Sequence, residues 1–273
     1  MLTIILIILA VAAGLVGLSL LAMRCRKGHP GLEALRGWSY AHRGLHNEAL
    51  PENSMAAFRA ALEKGYGIEL DIHLLADGGL AVIHDSALKR TTGAEGVVEE
   101  LTQEQLQDYT LEGTANTIPT FQQVLELFDG KAPMIVELKS YKGNHGALCQ
   151  AVCNLLDDYE GIYCIESFDP RCVRWLRKHR PQVIRGQLTE NFFKTKGSKL
   201  PGILKFIMTH QLTNFLTVPD FVAYRFADRR RFSNRIVRKL WGVQGVTWTL
   251  TTRNQHKTAV REGWIPIFEN YEP

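Results

Sequence analysis

Apolar positions along the chain follow two regimes. The first is unbroken: from Leu2 to Met23 no side chain is charged, and only Thr3 and Ser19 are polar. At ~1.5 Å per residue such a helix reaches ~30 Å, the thickness of the hydrocarbon core of a bilayer. A core helix of a soluble protein rarely stays uncharged for so long. A cleaved leader needs positive charge before the apolar run and small residues at its end. Here no Lys or Arg precedes Arg24, and the run closes as Leu21-Ala22-Met23-Arg24-Cys25. We therefore read residues 1–27 as an uncleaved single-pass membrane anchor with a basic flank. Arg24, Arg26 and Lys27 follow the span, which places the rest of the chain on the cytoplasmic side of the cell membrane.

The second regime is periodic. Gly28-His29-Pro30-Gly31 ends the apolar run, and residues 28–37 read as a linker. Beyond it, short apolar runs alternate with helical patterns. Strands are predicted at Trp38–His42, Gly67–Leu74, Met134–Glu137, Cys164–Phe168, Val183–Leu188, Asp220–Tyr224, Val246–Leu250 and Ile265–Phe268. Helix starts are marked by Asn53 or Ser54, by the Thr102-Gln103-Glu104-Gln105 and Thr120-Phe121-Gln122-Gln123 capping patterns, and by Asp169-Pro170. Alternation of this kind predicts a parallel sheet covered by helices, and eight strands in the ~236 residues of 38–273 suit an α/β fold, a closed (β/α)8 TIM barrel. Only Leu75-Ala76-Asp77-Gly78-Gly79 separates Leu74 from Leu80, far too little for a parallel crossover. The second strand should therefore fold back as an inserted β-hairpin. A turn centred between Asp77 and Gly78 would set His84 opposite Asp71.

Composition narrows the classes. With 45% apolar and 22% charged residues in 273, the chain is globular rather than disordered or fibrous. A net charge of +4, not gathered into one basic stripe, gives no nucleic-acid signal. Five cysteines, an odd number without a framework spacing, fit a reducing compartment. Cys149 and Cys153 share a helix face and read as buried thiols.

Charge collects where strands end: His42-Arg43, Glu69-Leu70-Asp71 and Glu137-Leu138-Lys139. Residues two apart share a strand face, so Glu69 joins Asp71, and Glu137 joins Lys139, at the mouth of a barrel. Three carboxylates there repel unless a cation sits among them, and all-oxygen ligands suit one Mg2+ or Ca2+. The alternative is a metal-free cluster salt-bridged to Arg43 and Lys139. His42 and His84 converging on these acids read as an acid–base pair, with Arg43 and Lys139 facing an anionic substrate. Together they suggest phosphoryl chemistry.

These residues resemble a known family. Ala41-His42-Arg43-Gly44, Pro51-Glu52-Asn53-Ser54, Glu69-Leu70-Asp71, Asp77-Gly78 and His84-Asp85 look like the motifs of the glycerophosphodiester phosphodiesterases. Arg90-Thr91-Thr92-Gly93, Ile118-Pro119-Thr120, Glu137-Leu138-Lys139, Ser167-Phe168 and Trp248-Thr249 extend the likeness from about Tyr40 to the C-terminus. The resemblance implies a barrel with an inserted hairpin and metal ligation by Glu69, Asp71 and Glu137. It implies His42 and His84 as general base and acid, with Arg43 and Lys139 near the phosphate. It implies cleavage of glycerophosphodiesters to glycerol 3-phosphate and an alcohol, with either a substrate hydroxyl or water attacking phosphorus. A lysophospholipase D-like activity on lysophospholipids is the second enzymatic reading, and a non-catalytic barrel that binds phospholipid headgroups the third.

Two departures fall on the substrate wall. Trp248-Thr249 is followed by Leu250 rather than by a nearby Asn, and the chain ends Phe268-Glu269-Asn270-Tyr271-Glu272-Pro273 rather than in Thr-Asp-x-Pro. Trp248 reads either as core or as pocket wall, and His73 as a strand residue whose parity matches the acids. Glu52 and Asn53 cap a helix or brace the mouth. Residues 191–218, rich in Phe, Ile and Leu among lysines, read either as a loop with a helix packed on the barrel or as a segment facing the lipid bilayer.

Overall fold

Side chains alternate across each strand, and closing the strands into a ring turns that alternation into an inside and an outside. The computed structural model describes residues 1–195, 197 and 200–273. Its strands are β1 (Tyr40–His42), β2 (Gly67–Leu74), β3 (Leu80–Val82), β4 (Met134–Leu138), β5 (Tyr163–Ser167), β6 (Arg185–Thr189), β7 (Phe221–Arg225), β8 (Gln244–Leu250) and β9 (Trp264–Phe268). They are ordered β1-β9-β8-β7-β6-β5-β4-β2, and β1 pairs with β2 to close the barrel. The eight barrel strands are parallel, while β3 pairs antiparallel to β2. The predicted TIM barrel with an inserted hairpin is therefore the observed fold.

The helix starts follow the expected chemistry at most sites. The Ser54 hydroxyl accepts from the Ala57 amide, Thr120 and Gln123 form a full capping box, and Asp169 caps the helix that begins at Pro170. Thr102 is the exception. Gln105 accepts the Thr102 amide, but only a 3₁₀ turn, Glu104–Asp108, follows.

The hairpin register differs from expectation by one residue. Ile72 faces Val82, His73 faces Ala81 and Leu74 faces Leu80, so Ile83 rather than His84 meets Asp71. The cause is an odd turn centred on Asp77: the Leu75 amide donates to the Gly79 carbonyl at 2.9 Å, Asp77 Oδ1 accepts the Gly79 amide, and Gly78 takes a positive φ. His84 lies just past β3 and still reaches the mouth.

Residues 28–37, expected as a linker, do more than connect. They hold a turn of helix, Leu32–Leu35, whose Leu32 and Leu35 are buried beneath the strands. The Leu35 carbonyl accepts the Tyr40 hydroxyl, and both leucines join a cluster with Ile135, Cys164, Phe221 and Ile265. This segment plugs the foot of the barrel, its N-terminal face. Gly186 is required nearby: a Cβ there would lie 2.1 Å from the Phe221 ring.

The opposite parity faces the helices. Ile68, Leu70 and Ile72 of β2 and Met134, Val136 and Leu138 of β4 pack with Phe58, Phe121 and Phe128 in the outer layer. A third cluster, including Leu75, Ile83, Leu88, Leu106 and Ile118, belongs to the insertion. All five cysteines are free and buried. Of the 191–218 stretch, residues 196, 198 and 199 lie outside the described residues. A helix, Gly202–Thr209, forms in the rest; Phe192 packs on Phe168, while Ile203 and Phe206 are exposed.

Because Leu35 is 1% exposed, Leu35→Ala should cost about 2–5 kcal/mol and lower the denaturation midpoint. Phe232→Ala, at a residue 76% exposed, should move stability by no more than about 0.5 kcal/mol.

Candidate active site

Inward-facing positions are apolar at the foot and polar at the mouth. On β2 the inward parity reads Glu69, Asp71, His73; on β4 it reads Ile135, Glu137 and then Lys139. On β5 it reads Cys164, Glu166 and then Phe168, and on β9 Ile265, Ile267 and then Glu269. Parallel register sets these side by side, with Asp71 beside Glu137 and Glu137 beside Glu166.

Glu69, Asp71 and Glu137 are all buried, and one oxygen from each lies within 4.8 Å of the others. Lys139 Nζ sits 2.9 Å from Asp71 Oδ1 and 2.7 Å from Glu137 Oε1. Arg43, in the left-handed region just after β1, donates its amide to Glu69 and lays its guanidinium 3.5 Å from Asp71 and 3.0 Å from Glu52. Asn53 Nδ2 donates to Asp71 Oδ2 at 2.9 Å. Glu52 and Asn53 therefore brace the mouth, and Ser54 does the capping.

Electrostatics follows from this crowding. Burial raises the Glu69 carboxyl well above its ordinary range, and Asp71 and Glu137 push it further. Glu137 is pushed up to about 7, by burial and by Asp71 against the pull of Lys139. Burial would raise Asp71 too, but Lys139, His84 and Arg43 overcome it and keep Asp71 ionised.

The two histidines are each oriented by a carboxylate. His42 Nδ1 lies 2.7 Å from Glu269 Oε2, and His84 Nδ1 lies 2.6 Å from Asp85 Oδ1. Asp85 is paired with Arg90, and Arg90 with Glu52 at 2.7 Å. With Nδ1 so engaged, each ring has Nε2 free for the cavity, and His42 Nε2 lies 3.8 Å from Glu69. Burial lowers both rings, His84 to about 4. His73 bonds Glu99 and the His84 carbonyl, tying the insertion to β2.

A cavity of about 160 Å³ gathers His42, Arg43, Glu69, His84, Glu137 and Trp248. Trp248 stands in its wall, edge-on to Phe168 at 5.7 Å. A wider cavity of about 520 Å³ adjoins at His84, Glu137 and Phe168 and includes Lys139. The site residues read from the sequence, His42, Arg43, Glu69, Asp71, His84, Glu137, Lys139 and Trp248, thus come together at this mouth. Two further acids do as well. Glu166 is 1% exposed, and burial with Glu137 nearby raises its carboxyl; the signal was its parity beside Glu137. Glu269, which stands at the departure from Thr-Asp-x-Pro, extends the inward parity of β9.

The donor set fits a hard divalent cation: three buried carboxylates converge, and two of them carry raised pKa values that a bound cation would reverse. Binding should release protons, because Glu69 and Glu137 hold them in the cation's absence. Affinity for Mg2+ or Ca2+ should therefore increase as pH rises through about 7. Calorimetry in buffers of different ionisation enthalpy measures that release, and Asp71→Asn should weaken binding by at least about tenfold.

The sequence model of the Glycerophosphoryl diester phosphodiesterase family matches residues 42–271. A glycerophosphodiester phosphodiesterase of Caldanaerobacter subterraneus subsp. tengcongensis is 36% identical over 160 residues, 54% of this chain. One of Bacillus altitudinis is 42% identical over 161 residues, 55% of this chain. The matched stretch spans 65% of the length of each of these two relatives. Among solved structures, a phosphodiesterase of Oleispira antarctica in complex with the product sn-glycerol-3-phosphate superposes with a TM-score of 0.71 at 20% identity. That match covers 90% of this chain and 96% of the other, and it shows the shared fold.

Proposed function

The chain belongs to the glycerophosphoryl diester phosphodiesterase family, and from that membership we propose that it is a membrane-anchored, divalent-cation-dependent enzyme that cleaves glycerophosphodiesters to glycerol 3-phosphate and an alcohol. The observation that carries the reading is the meeting of two carboxylate-oriented histidines, His42 and His84, in one cavity with Glu69 and Glu137. A module that only binds headgroups has no need of an acid–base pair.

Glu69, Asp71 and Glu137 are the metal ligands in this reading. When bound there, Mg2+ or Ca2+ would neutralise phosphoryl oxygens and polarise phosphorus. Arg43 and Lys139 face the remaining phosphate charge. The glycerol side of the substrate lies against Trp248 and Phe168. His42 Nε2 takes the proton from the attacking oxygen, either water or a substrate hydroxyl whose cyclic phosphate a water then opens, and Glu269 stabilises the imidazolium that forms. His84 stands between the two cavities; as the imidazolium, with Asp85 on Nδ1, it gives its Nε2 proton to the departing alkoxide and becomes neutral. Glu269 is a positioning residue: it acts through His42.

The helix Leu2–Ala22 is 21 residues long, apolar and unburied, which suits an anchor. Arg24, Arg26 and Lys27 behind it keep the barrel in the cytoplasm.

Purified full chain should release glycerol 3-phosphate from glycerophosphocholine with Mg2+ or Ca2+ and not with chelator. His42→Ala and His84→Ala should each lose about 10²–10⁴-fold in kcat. Glu269→Gln should lose about 10–100-fold in kcat with little change in KM. Undiminished turnover in His42→Ala, or in chelator, would sink the mechanism. Choline release from lysophosphatidylcholine alone would favour the lysophospholipase D reading. For topology, a reporter fused after Pro273 should be active in the cytoplasm, and periplasmic or extracellular activity would reverse the assignment.

A further inference from the structure

The membrane helix joins the barrel at the end opposite its mouth. The Trp241 indole donates to the Leu20 carbonyl at 3.2 Å, and the Arg26 amide donates to the Pro219 carbonyl at 2.9 Å. The Arg26 guanidinium pairs with Asp220 and reaches the Pro181 carbonyl at 2.7 Å; the His29 ring meets the Gln182 carbonyl at 3.0 Å. Gln182, Asp220 and Trp241 lie just before β6, β7 and β8, so each contact is at the foot. Residues 1–16 of the helix are exposed, so it projects away from the domain.

Beside that junction a cleft of about 340 Å³ opens between Arg36, Arg235, Arg238, Lys239 and Gly242. The one acid of its lining, Glu262, is already paired with Arg229 and Arg230, and Arg36 is paired with Glu33 at 2.5 Å, which leaves Arg235 and Lys239 as its free cations among the described residues. Arg238 stacks on Trp264 at 4.0 Å and donates to the Glu262 carbonyl, which fixes its guanidinium. Arg235 and Lys239 are exposed and have no carboxylate partner among the described residues; the same holds for Arg24 and Lys27 on the flank. The Lys27 stem lies over Gly242 at the cleft's edge. Two of the chain's five tryptophans, the half-buried Trp38 and Trp241, are also at this foot. Uncompensated cations flanked by tryptophans at the end of a membrane helix match the anionic, interfacial zone of a bilayer.

We propose that the cleft between Arg36, Arg235, Arg238 and Lys239 seats the phosphate of an anionic phospholipid, so that the barrel stands on its foot with its mouth turned to water. The proposal rests on the anchor reading above. It deepens the function by naming the substrate class: water-soluble glycerophosphodiesters, reached from the aqueous side, rather than lipids within the bilayer. The exposed Ile203 and Phe206 follow β6, whose C-terminal end is at the mouth.

The test uses the full chain in nanodiscs of phosphatidylcholine, and of phosphatidylcholine with about one-third phosphatidylglycerol. Amide exchange is followed over residues 232–245 and 203–209, and glycerophosphocholine hydrolysis is measured on the same discs. Phosphatidylglycerol should slow exchange over 232–245 by at least about threefold and leave 203–209 unchanged. Arg235→Glu with Lys239→Glu should abolish the slowing while hydrolysis stays within about twofold. Equal exchange in both discs would overturn the proposal. So would protection at 203–209 instead, or equal slowing by inorganic phosphate in the neutral discs. Absent hydrolysis with the lipid effect intact would count against the catalytic reading and leave this one standing.

Discussion

Mutual repulsion among three buried carboxylates organises this molecule. Glu69, Asp71 and Glu137 are held within 4.8 Å of one another in a low-dielectric mouth, where each additional negative charge is costly. The groups that offset it come from three directions: Lys139 from the end of β4, Arg43 from the turn after β1, and Asn53 from the approach to the first barrel helix. Only a closed barrel brings those segments together. Asp71 is the acid these groups keep ionised, while Glu69 and Glu137 retain protons near neutrality. The mouth is thus set up to exchange protons for a doubly charged ion.

Much of this was legible because strand parity is a local rule. Glu69, Asp71 and His73 alternate with Ile68, Leu70 and Ile72, so the side bearing chemistry is written into eight residues. The inserted hairpin was legible from a connection too short to cross. Its register was not, since an Asx-stabilised turn of odd length centres on Asp77 and shifts every pair by one. Glu166 escaped notice because its sequence neighbours are apolar or small; it matters only through its alignment with Glu137. The bond from His42 to Glu269 spans 227 residues and exists only because β9 closes onto β1. Leu32 and Leu35 looked like linker because Gly and Pro surround them, and their burial is a property of the barrel foot.

The barrel divides its labour along its axis. Near the foot the interior is filled by Tyr40, Ile135, Phe221 and Ile265, sealed by the plug of Leu32 and Leu35. Near the mouth the same strands carry carboxylates, histidines and cations in place of packing groups. The unfavourable burial of charge at one end is tolerated because the other end supplies a dry, well-packed base. In the proposed orientation that base is also the face turned to the lipid, which separates adhesion from chemistry by the length of the strands.

The insertion after β2 has a hydrophobic cluster of its own, formed by Leu75, Ile83, Leu88, Leu106 and Ile118. His84, Asp85 and Arg90 ride on it, whereas His42 and the carboxylates belong to the barrel. The two histidines of the proposed acid–base pair are therefore mounted on separate chassis that meet at the mouth through His73 and Glu52. Under the proposed mechanism such a division gives evolution a movable jaw: the arm that would address the departing alcohol can be recut for new leaving groups without disturbing the jaw that would grip the phosphate.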